Sequence, residues 1–544
     1  MKKLQKEILQ LLIQDLNKYY TSQELLTLLD VNSLRTVQSN IKELVDEKRV
    51  QIKGERSSTK YALSNSYYND LKEKLYIYQN QTLVGYLGYD YESYYFVYDT
   101  QYLLNANNQV RFEMDFSLKT FIQNECFVDF EETLPEGIDK KILIEKTGNA
   151  TEFFLLKNNN YSSNDLIFID TKLTFDDEFS SQSFLSNKDQ ILGCNIFPNV
   201  LEQRIALSDT VLFPSNYEDQ EEKFKSVRTI SLSGYQHKLQ VIITEDEIRE
   251  PIYGDVVEYF VKPYHPQKAD PKSSYYFPHI AINEHLHLTF AKNELGFDVP
   301  ESAIFKRDTD AEYHYAVKYF DRFQNYKFQR KEFSTYMGLN SERKYNTSSE
   351  KLFAKANDVL LSKNDKETFL KYYFYSFLIK HEDMHTKNLS IIYDKGKTFM
   401  SPLYDVATTG VYEGMSGYES HLPINGKQTN IRFNDFVQLA AKLDISKQEF
   451  KAIAKDITML YIEKMPEYID KVSNLENTDF YLKSKPNANG KAQKVIGQTS
   501  LDRILFDNYA KRIQTLDKNG WFAQLGIDLQ EYETRFLHIK KATI

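Results

Sequence analysis

Residues 380–410 read KHEDMHTKNLSIIYDKGKTFMSPLYDVATTG, and the reading of the whole chain turns on them. Asp383 is followed five residues later by Asn388. Loops that catalyse phosphoryl transfer have this layout, because the two side chains must converge on one γ-phosphate. The aspartate takes the proton of the attacking hydroxyl and the asparagine holds a divalent cation. Next, LSIIYDKGKTFMSPLYDV reads as two strands around the turn Asp394-Lys395-Gly396-Lys397, with Asp405 behind the second as a further magnesium ligand. Lys387 stands between base and ligand, where a cation neutralises the charge of a transferring phosphate. The three fixed positions of the loop, His381, Asp383 and Asn388, recur by chance, and a satisfied surface aspartate is the plainer reading of the loop alone. The second aspartate behind a hairpin tips the balance.

Working upstream, Lys262 ends the apolar run VEYFVKP, residues 257–263. A lysine in such a strand is costly to bury unless paired or functional. At this place in a kinase it grips the α- and β-phosphates of ATP. The other reading is an edge residue whose stem packs while its ammonium reaches water.

The bulk composition is compatible with that chemistry. With 544 residues, 41% hydrophobic and 27% charged, the chain has an ordinary globular composition and length for three or four domains. The formal charge of −9 excludes a protein that coats nucleic acid over its whole surface. Cys126 and Cys194 are the two cysteines, too few for a disulfide scaffold or a cysteine zinc site, and a reducing cytoplasm is the expected compartment. No run approaches the roughly 18 apolar residues of a membrane span. The start, MKKLQKEILQLLIQDL, is broken by charge. It reads as an amphipathic helix with Leu4, Ile8, Leu11, Leu12 and Leu16 on one face, not as a signal peptide.

Residues 1–66 form a pattern of their own. After the first helix, Thr21, Ser22 and Glu24 open a second, SQELLTLL, with a capping signal. A third, SLRTVQSNIKELVDEK, starts behind Asn32 or Ser33, and the strand-like VQIK and TKYAL follow around residues 54–58. This order resembles a winged helix-turn-helix. The segment has 11 Lys and Arg against 8 Asp and Glu, a basic patch in an acidic chain. Arg35, Gln38, Ser39 and Lys42 line the exposed face of the third helix, with Arg35 and Gln38 suited to base edges in double-stranded DNA. Lys53 and Arg56 on the wing are placed for phosphates. A module that docks protein is the alternative.

Residues 70–215 alternate aromatics, as in LYIYQ and SYYFVYD, and read as a mainly β subdomain. From 220 to about 325 strands alternate with helices, and helices dominate from 326 to 544. KSKPNANGKAQK, residues 483–494, reads as a loop.

Across this span the chain resembles the HipA family of serine/threonine kinase toxins. DMHTKNLSI (383–391) is similar to that family's DxHxKNxS signature and SPLYDV (401–406) to its APLYDV. SLSGYQHKLQV (231–241) resembles the loop over the ATP phosphates, EYFVKP the lysine strand, and NEHLHLTFAKNELGFDVPES (283–302) the following helix. VKYFDRF (317–323) resembles the hinge, FSTYMGLNSERKY (333–345) the helix and tyrosine behind it, and LPINGKQTNIRFNDFVQLA (422–440) the NGK segment. LYIYQNQTLVGYL (75–87) and TLPEG (133–137) resemble the N-terminal subdomain. The motifs run in family order from about residue 72 to the C-terminal helices.

The resemblance implies an α+β, multidomain, bilobal kinase-like fold with a mainly β N-terminal subdomain and a helical C-lobe. Here that fold is preceded by the winged helix. It also implies ATP and Mg2+, with Asp383 as base, Lys387 beside the transferring phosphate, and Asn388 and Asp405 on magnesium. Lys262 holds phosphates, backbone groups from Lys318 to Phe320 meet adenine, and Gly234, Gln236 and Lys238 belong to the phosphate loop. Glu284 is the partner expected for Lys262, the alternative being a solvated helix charge. Ser231 or Ser233 is the autophosphorylation site that silences the enzyme through repulsion of the nucleotide's own charge, or else a turn serine. His385 is expected to hold the loop by hydrogen bonds. Lys380-His381 and Lys318-Tyr319 depart from the family pattern. The implied partners are a protein substrate, with an aminoacyl-tRNA synthetase as candidate, an antitoxin and DNA. Two other functions remain open. One is a transcriptional regulator whose kinase-like part senses nucleotide or binds a partner; the other is a small-molecule or lipid kinase.

Overall fold

The computed structural model describes the chain except residues 1, 14–17, 48, 56–57, 65–72, 105–111, 118–119, 160–164, 176–179, 213–236, 274–275, 341–342, 344–345, 413–414, 416, 485–493 and 530–544. Gly234, Gln236, Ser231, Ser233 and Arg56 lie outside the described residues, as does most of the expected loop after Lys483. The chain divides into two compact units. One comprises Met1–Pro135 and Leu143–Ser181, the other Glu136–Ile142 and Gln182–Ile544.

The first unit opens with helices Lys3–Ile13, Ser22–Leu28 and Leu34–Asp46, followed by the antiparallel hairpin Val50–Lys53 and Lys60–Leu63. Thr21 and Glu24 form a reciprocal cap, the Thr21 amide donating to the glutamate at 2.7 Å and the Glu24 amide to the threonine hydroxyl at 3.2 Å. Ser33 caps the third helix. Val37, Ile41 and Leu44 turn one face of that helix into a core with Ile8, Leu12, Leu25, Val50 and Leu63. Arg49, just before the hairpin, reaches the Asp90 carboxylate at 3.2 Å.

Asp90 belongs to the second part of this unit, a five-stranded antiparallel sheet. Its order is Phe121–Gln123, Tyr94–Tyr98, Thr82–Tyr89, Glu73–Gln79, Leu166–Ile169. Between the last two strands in sequence the chain is helical at Val128–Glu131, Gly137–Thr147 and Glu152–Asn158, where the alternating aromatics had suggested strands and turns. The reason is local: Phe153 and Leu156 stand three apart, so the apolar period there is helical, and both are buried against the sheet's core.

In the second unit a six-stranded sheet runs in the order Ser302–Phe305, His314–Lys318, Tyr259–Lys262, Leu239–Ile243, Glu247–Arg249, Arg204–Ala206. Only the last pair is parallel. The lysine strand is therefore an interior strand, which removes the edge-residue reading of Lys262. Helix Ile280–Asn293 is buried from Ile280 through Ala291, its polar Asn283, Glu284, His285, His287 and Thr289 included. Beyond residue 326 come the helices Ser349–Val359, Lys363–Leu378, Phe433–Lys442, Lys447–Val472, Leu501–Lys518 and Trp521–Leu525. Phe374, Phe377, Phe436, Phe450 and Trp521 interlock among them. A three-stranded sheet, Gln329–Glu332, Ser390–Asp394 and Lys397–Met400, carries the loop of interest at its end. No described helix is long and apolar enough to cross a membrane.

Candidate active site

Lys262, the last residue of its strand, is 1% exposed, and burying an ammonium demands compensation. Two carboxylates provide it. Glu284, from the helix Ile280–Asn293, accepts a hydrogen bond from Nζ at 2.7 Å, and Asp405 pairs with the same nitrogen. Burial by itself would lower the Lys262 pKa, but Asp405 and Glu284 outweigh it and hold the amine charged. Burial raises the Glu284 carboxyl, with Lys262 opposing and Asp405 adding to the rise. Asp405 goes the other way: burial would raise it, yet Lys262 and Lys238 leave it below the usual carboxylate range. Lys238 Nζ stands 3.8 Å from Asp405.

Asp405 has φ +52, a conformation that disfavours residues with a Cβ. Such strain persists only where the surroundings enforce it. A carboxylate held ionised in a fixed, unusual conformation suits a ligand of a hard cation. Asn388, on the neighbouring loop, offers a second oxygen. Its amide nitrogen donates to the Asp383 carbonyl at 3.0 Å, which fixes the amide plane and leaves its oxygen as acceptor. An oxygen donor pair of this kind fits magnesium, which takes one or two protein ligands and completes its shell with phosphates and water.

The loop itself leaves helix Lys363–Leu378 through Lys380, whose φ is +58. A glycine adopts that region freely, whereas a lysine, with its Cβ, sits there in a strained turn. His381 then ties the two acidic segments together. Its Nδ1 bonds the Ala407 carbonyl at 2.6 Å, two residues beyond Asp405, a link that no motif singles out. Burial lowers the His381 pKa, with Asp383 and Asp405 opposing. His385 Nε2 lies 4.0 Å from the Asp383 carboxylate, and the Lys387 amide donates to His385 Nδ1 at 3.2 Å. Lys387 Nζ meets Glu136 at 2.5 Å and Glu332 at 3.5 Å, two carboxylates to which the motif reading gave no role.

The hinge segment Lys318–Phe320 leaves the sheet with its first two amides engaged, Lys318 to the Glu301 carbonyl at 2.9 Å and Tyr319 to that of Glu258 at 2.8 Å. Phe320 stacks on Tyr404 with ring centres 5.2 Å apart, and the Tyr404 hydroxyl donates to the Lys387 carbonyl at 2.7 Å. Thus Lys262, Glu284, Lys238 and Asp405 share one cluster. Asp383 and Asn388 join it through the histidines, and Phe320 joins it through Tyr404. In the first unit, Arg35, Gln38, Ser39, Lys42 and Lys53 are exposed, on the side of the third helix and hairpin away from the core. Lys53 Nζ lies over the Tyr19 ring at 5.0 Å.

Residues 230–464 match the family described as the HipA-like C-terminal domain. Among curated proteins, "Putative kinase Y4dM" of Sinorhizobium fredii is 28% identical over 178 residues, 30% of this chain and 43% of that protein. A "Putative kinase" of Haemophilus influenzae is 26% identical over 197 residues, 34% of this chain and 54% of that protein. The chain spans about half the length of the curated relatives it matches. Among solved structures, a chain of the Shewanella oneidensis MR-1 complex of HipA, HipB and operator DNA aligns with TM-score 0.55 at 13% identity. It covers 82% of this chain and 97% of its own length, a likeness of fold.

Proposed function

We propose that the chain, with its HipA-like C-terminal domain, is an ATP- and Mg2+-dependent protein serine/threonine kinase of the HipA toxin type. The observation that carries this reading is the buried Lys262, held between Glu284 and Asp405 and linked to the Asp383 loop through His381. Lys262 binds phosphate oxygens of ATP, and the backbone at Phe320 meets the base. Asp383 orients the serine hydroxyl of a protein substrate and accepts its proton as the hydroxyl attacks. Lys387 neutralises charge on the transferring group once its carboxylate partners yield. Magnesium, held by Asp405 and Asn388, supplies charge neutralisation at the phosphates when bound. The phosphate-loop serines Ser231 and Ser233 are the proposed autophosphorylation sites. An aminoacyl-tRNA synthetase is the proposed class of target, and the cytoplasm the proposed compartment.

Residues 1–66 are proposed as a winged helix-turn-helix that binds double-stranded DNA. The solved relative of like fold is described in a complex with HipB and operator DNA, which supports DNA and an antitoxin as partners here. The alternative, a transcriptional regulator whose kinase-like part only senses nucleotide, predicts binding without transfer. The deciding experiment incubates the purified chain with Mg·ATP and reads its intact mass before and after phosphatase. A phosphatase-sensitive gain of one phosphate, lost with its rate reduced about 10²–10⁴-fold in Asp383→Asn, is expected for a general base. Undiminished transfer by that variant would remove the assignment of Asp383.

A further inference from the structure

Lys268 lies six residues beyond Lys262, in the short helix Pro266–Ala269. Its side chain is 8% exposed, and among the described residues its Nζ has no hydrogen-bond partner. It lines a narrow recess together with Lys262, His265, Glu284, Glu312 and Tyr315. A buried ammonium without a partner is expensive, so a protein keeps one only where something else meets it. The neighbouring charges say what that is. Asp383 and Glu312 both act on Lys268 from beyond ion-pair distance, while Lys262 is fully engaged by Glu284 and Asp405. Glu312 is itself occupied, accepting from the His279 amide at 2.8 Å. A cation within the field of the proposed base, and bonded to none of its neighbours, is placed for a negative group that arrives at Asp383.

We propose that Lys268 is a second phosphate-binding cation of this site and contacts the terminal phosphate of the bound nucleoside triphosphate. The proposal rests on the kinase reading above and adds a residue to it. Burial pushes the Lys268 amine down to about 8, with Asp383 and Glu312 opposing, so it remains largely charged at neutral pH and still able to bind an anion. As a flexible four-carbon stem carrying a compact charge, lysine can extend from the recess to a phosphate without moving the backbone.

The test is the affinity of the full chain for a non-hydrolysable Mg·ATP analogue and for Mg·ADP, in the wild type, Lys268→Met and Lys268→Arg. Lys268→Met is expected to weaken the triphosphate tenfold or more, to change ADP less than twofold, and to leave the melting temperature unchanged or higher. Lys268→Arg should recover much of the loss. Equal affinities across the variants would overturn the proposal. So would a matched loss of both nucleotides or a fall in melting temperature, which would make Lys268 a structural residue. A wild type that binds neither nucleotide brings down the kinase reading itself, whereas wild-type binding that ignores Lys268→Met brings down only this proposal.

Discussion

Lys262 shows how one side chain can organise a site and also be a liability. Two buried carboxylates on a single ammonium are stable only as a set, because removing the cation leaves like charges facing each other in a poor solvent. Asp405 has its folded pKa held below its ordinary value of 3.8, so it contributes stability above that pH and loses it as pH falls through the lower folded value. In Lys262→Met this contribution disappears and both carboxyls take up protons readily. The variant should therefore lose about 3–5 kcal/mol at pH 7, the usual cost of breaking a buried pair. The deficit should narrow as pH falls toward 4. Urea denaturation of both proteins across that range measures it, and a pH-independent deficit would mean that packing, not charge, is what Lys262 provides. The lysine, both aspartates and the asparagine could be singled out in the sequence because phosphoryl transfer would fix their types and spacing. Lys268 and Glu332 were not, since a lone lysine or glutamate has no spacing that distinguishes a buried charge from a solvated one, and Glu136 stood in TLPEG without a role. His381 was quoted as part of the loop, but only the fold reveals that it grips the Ala407 carbonyl.

Elements were legible wherever one period ran long enough. The third helix starts behind Ser33, one of the two caps expected, and the strands around Asp394–Lys397 fall at their expected places. What failed was the stretch between residues 128 and 158, where abundant aromatics masked a change of period from two to between three and four. Strand-like TLVGYLGYD does form the strand Thr82–Tyr89, and Gly85 sits inside it, paired with Tyr98. A Cβ there would lie 2.3 Å from the Val97 carbonyl oxygen and 2.9 Å from the Phe96 ring. The first obstacle is backbone of the neighbouring strand and cannot rotate away, so the glycine permits close approach of two strands. Gly85→Ala should destabilise the sheet by about 1–3 kcal/mol or more, in the range of overpacked cores. Gly148→Ala, with open space around its Cβ but a positive φ, should cost less. Chemical denaturation followed by tyrosine fluorescence compares the two, and equal losses would refute the steric account of Gly85.

Over the whole molecule, charge is distributed so that the two proposed activities are compatible. The chain carries −9, yet residues 1–66 hold an excess of Lys and Arg. Salt limits the reach of surface charge to about 10 Å at 0.1 M, so acidic surface farther away neither helps nor strongly opposes a DNA contact made by the N-terminal module. DNA binding should then depend on exposed residues of the third helix and hairpin and not on nucleotide chemistry. With a duplex taken from directly upstream of the protein's own coding region, Arg35→Ala should cost about 1–3 kcal/mol and erode the preference over a random duplex. Lys53→Ala should weaken both duplexes alike and lower the salt slope by about one. Asp383→Asn should leave the mobility shift unchanged while transfer is lost, and Arg35→Ala should leave transfer unchanged while the shift is lost. If Asp383→Asn alters DNA affinity, the phosphorylation state of the chain feeds into binding, and the two activities are linked through the phosphate-loop serines and not merely carried on one chain. If no variant of the third helix or hairpin affects binding, the module docks protein, and the antitoxin is the partner to try on it next.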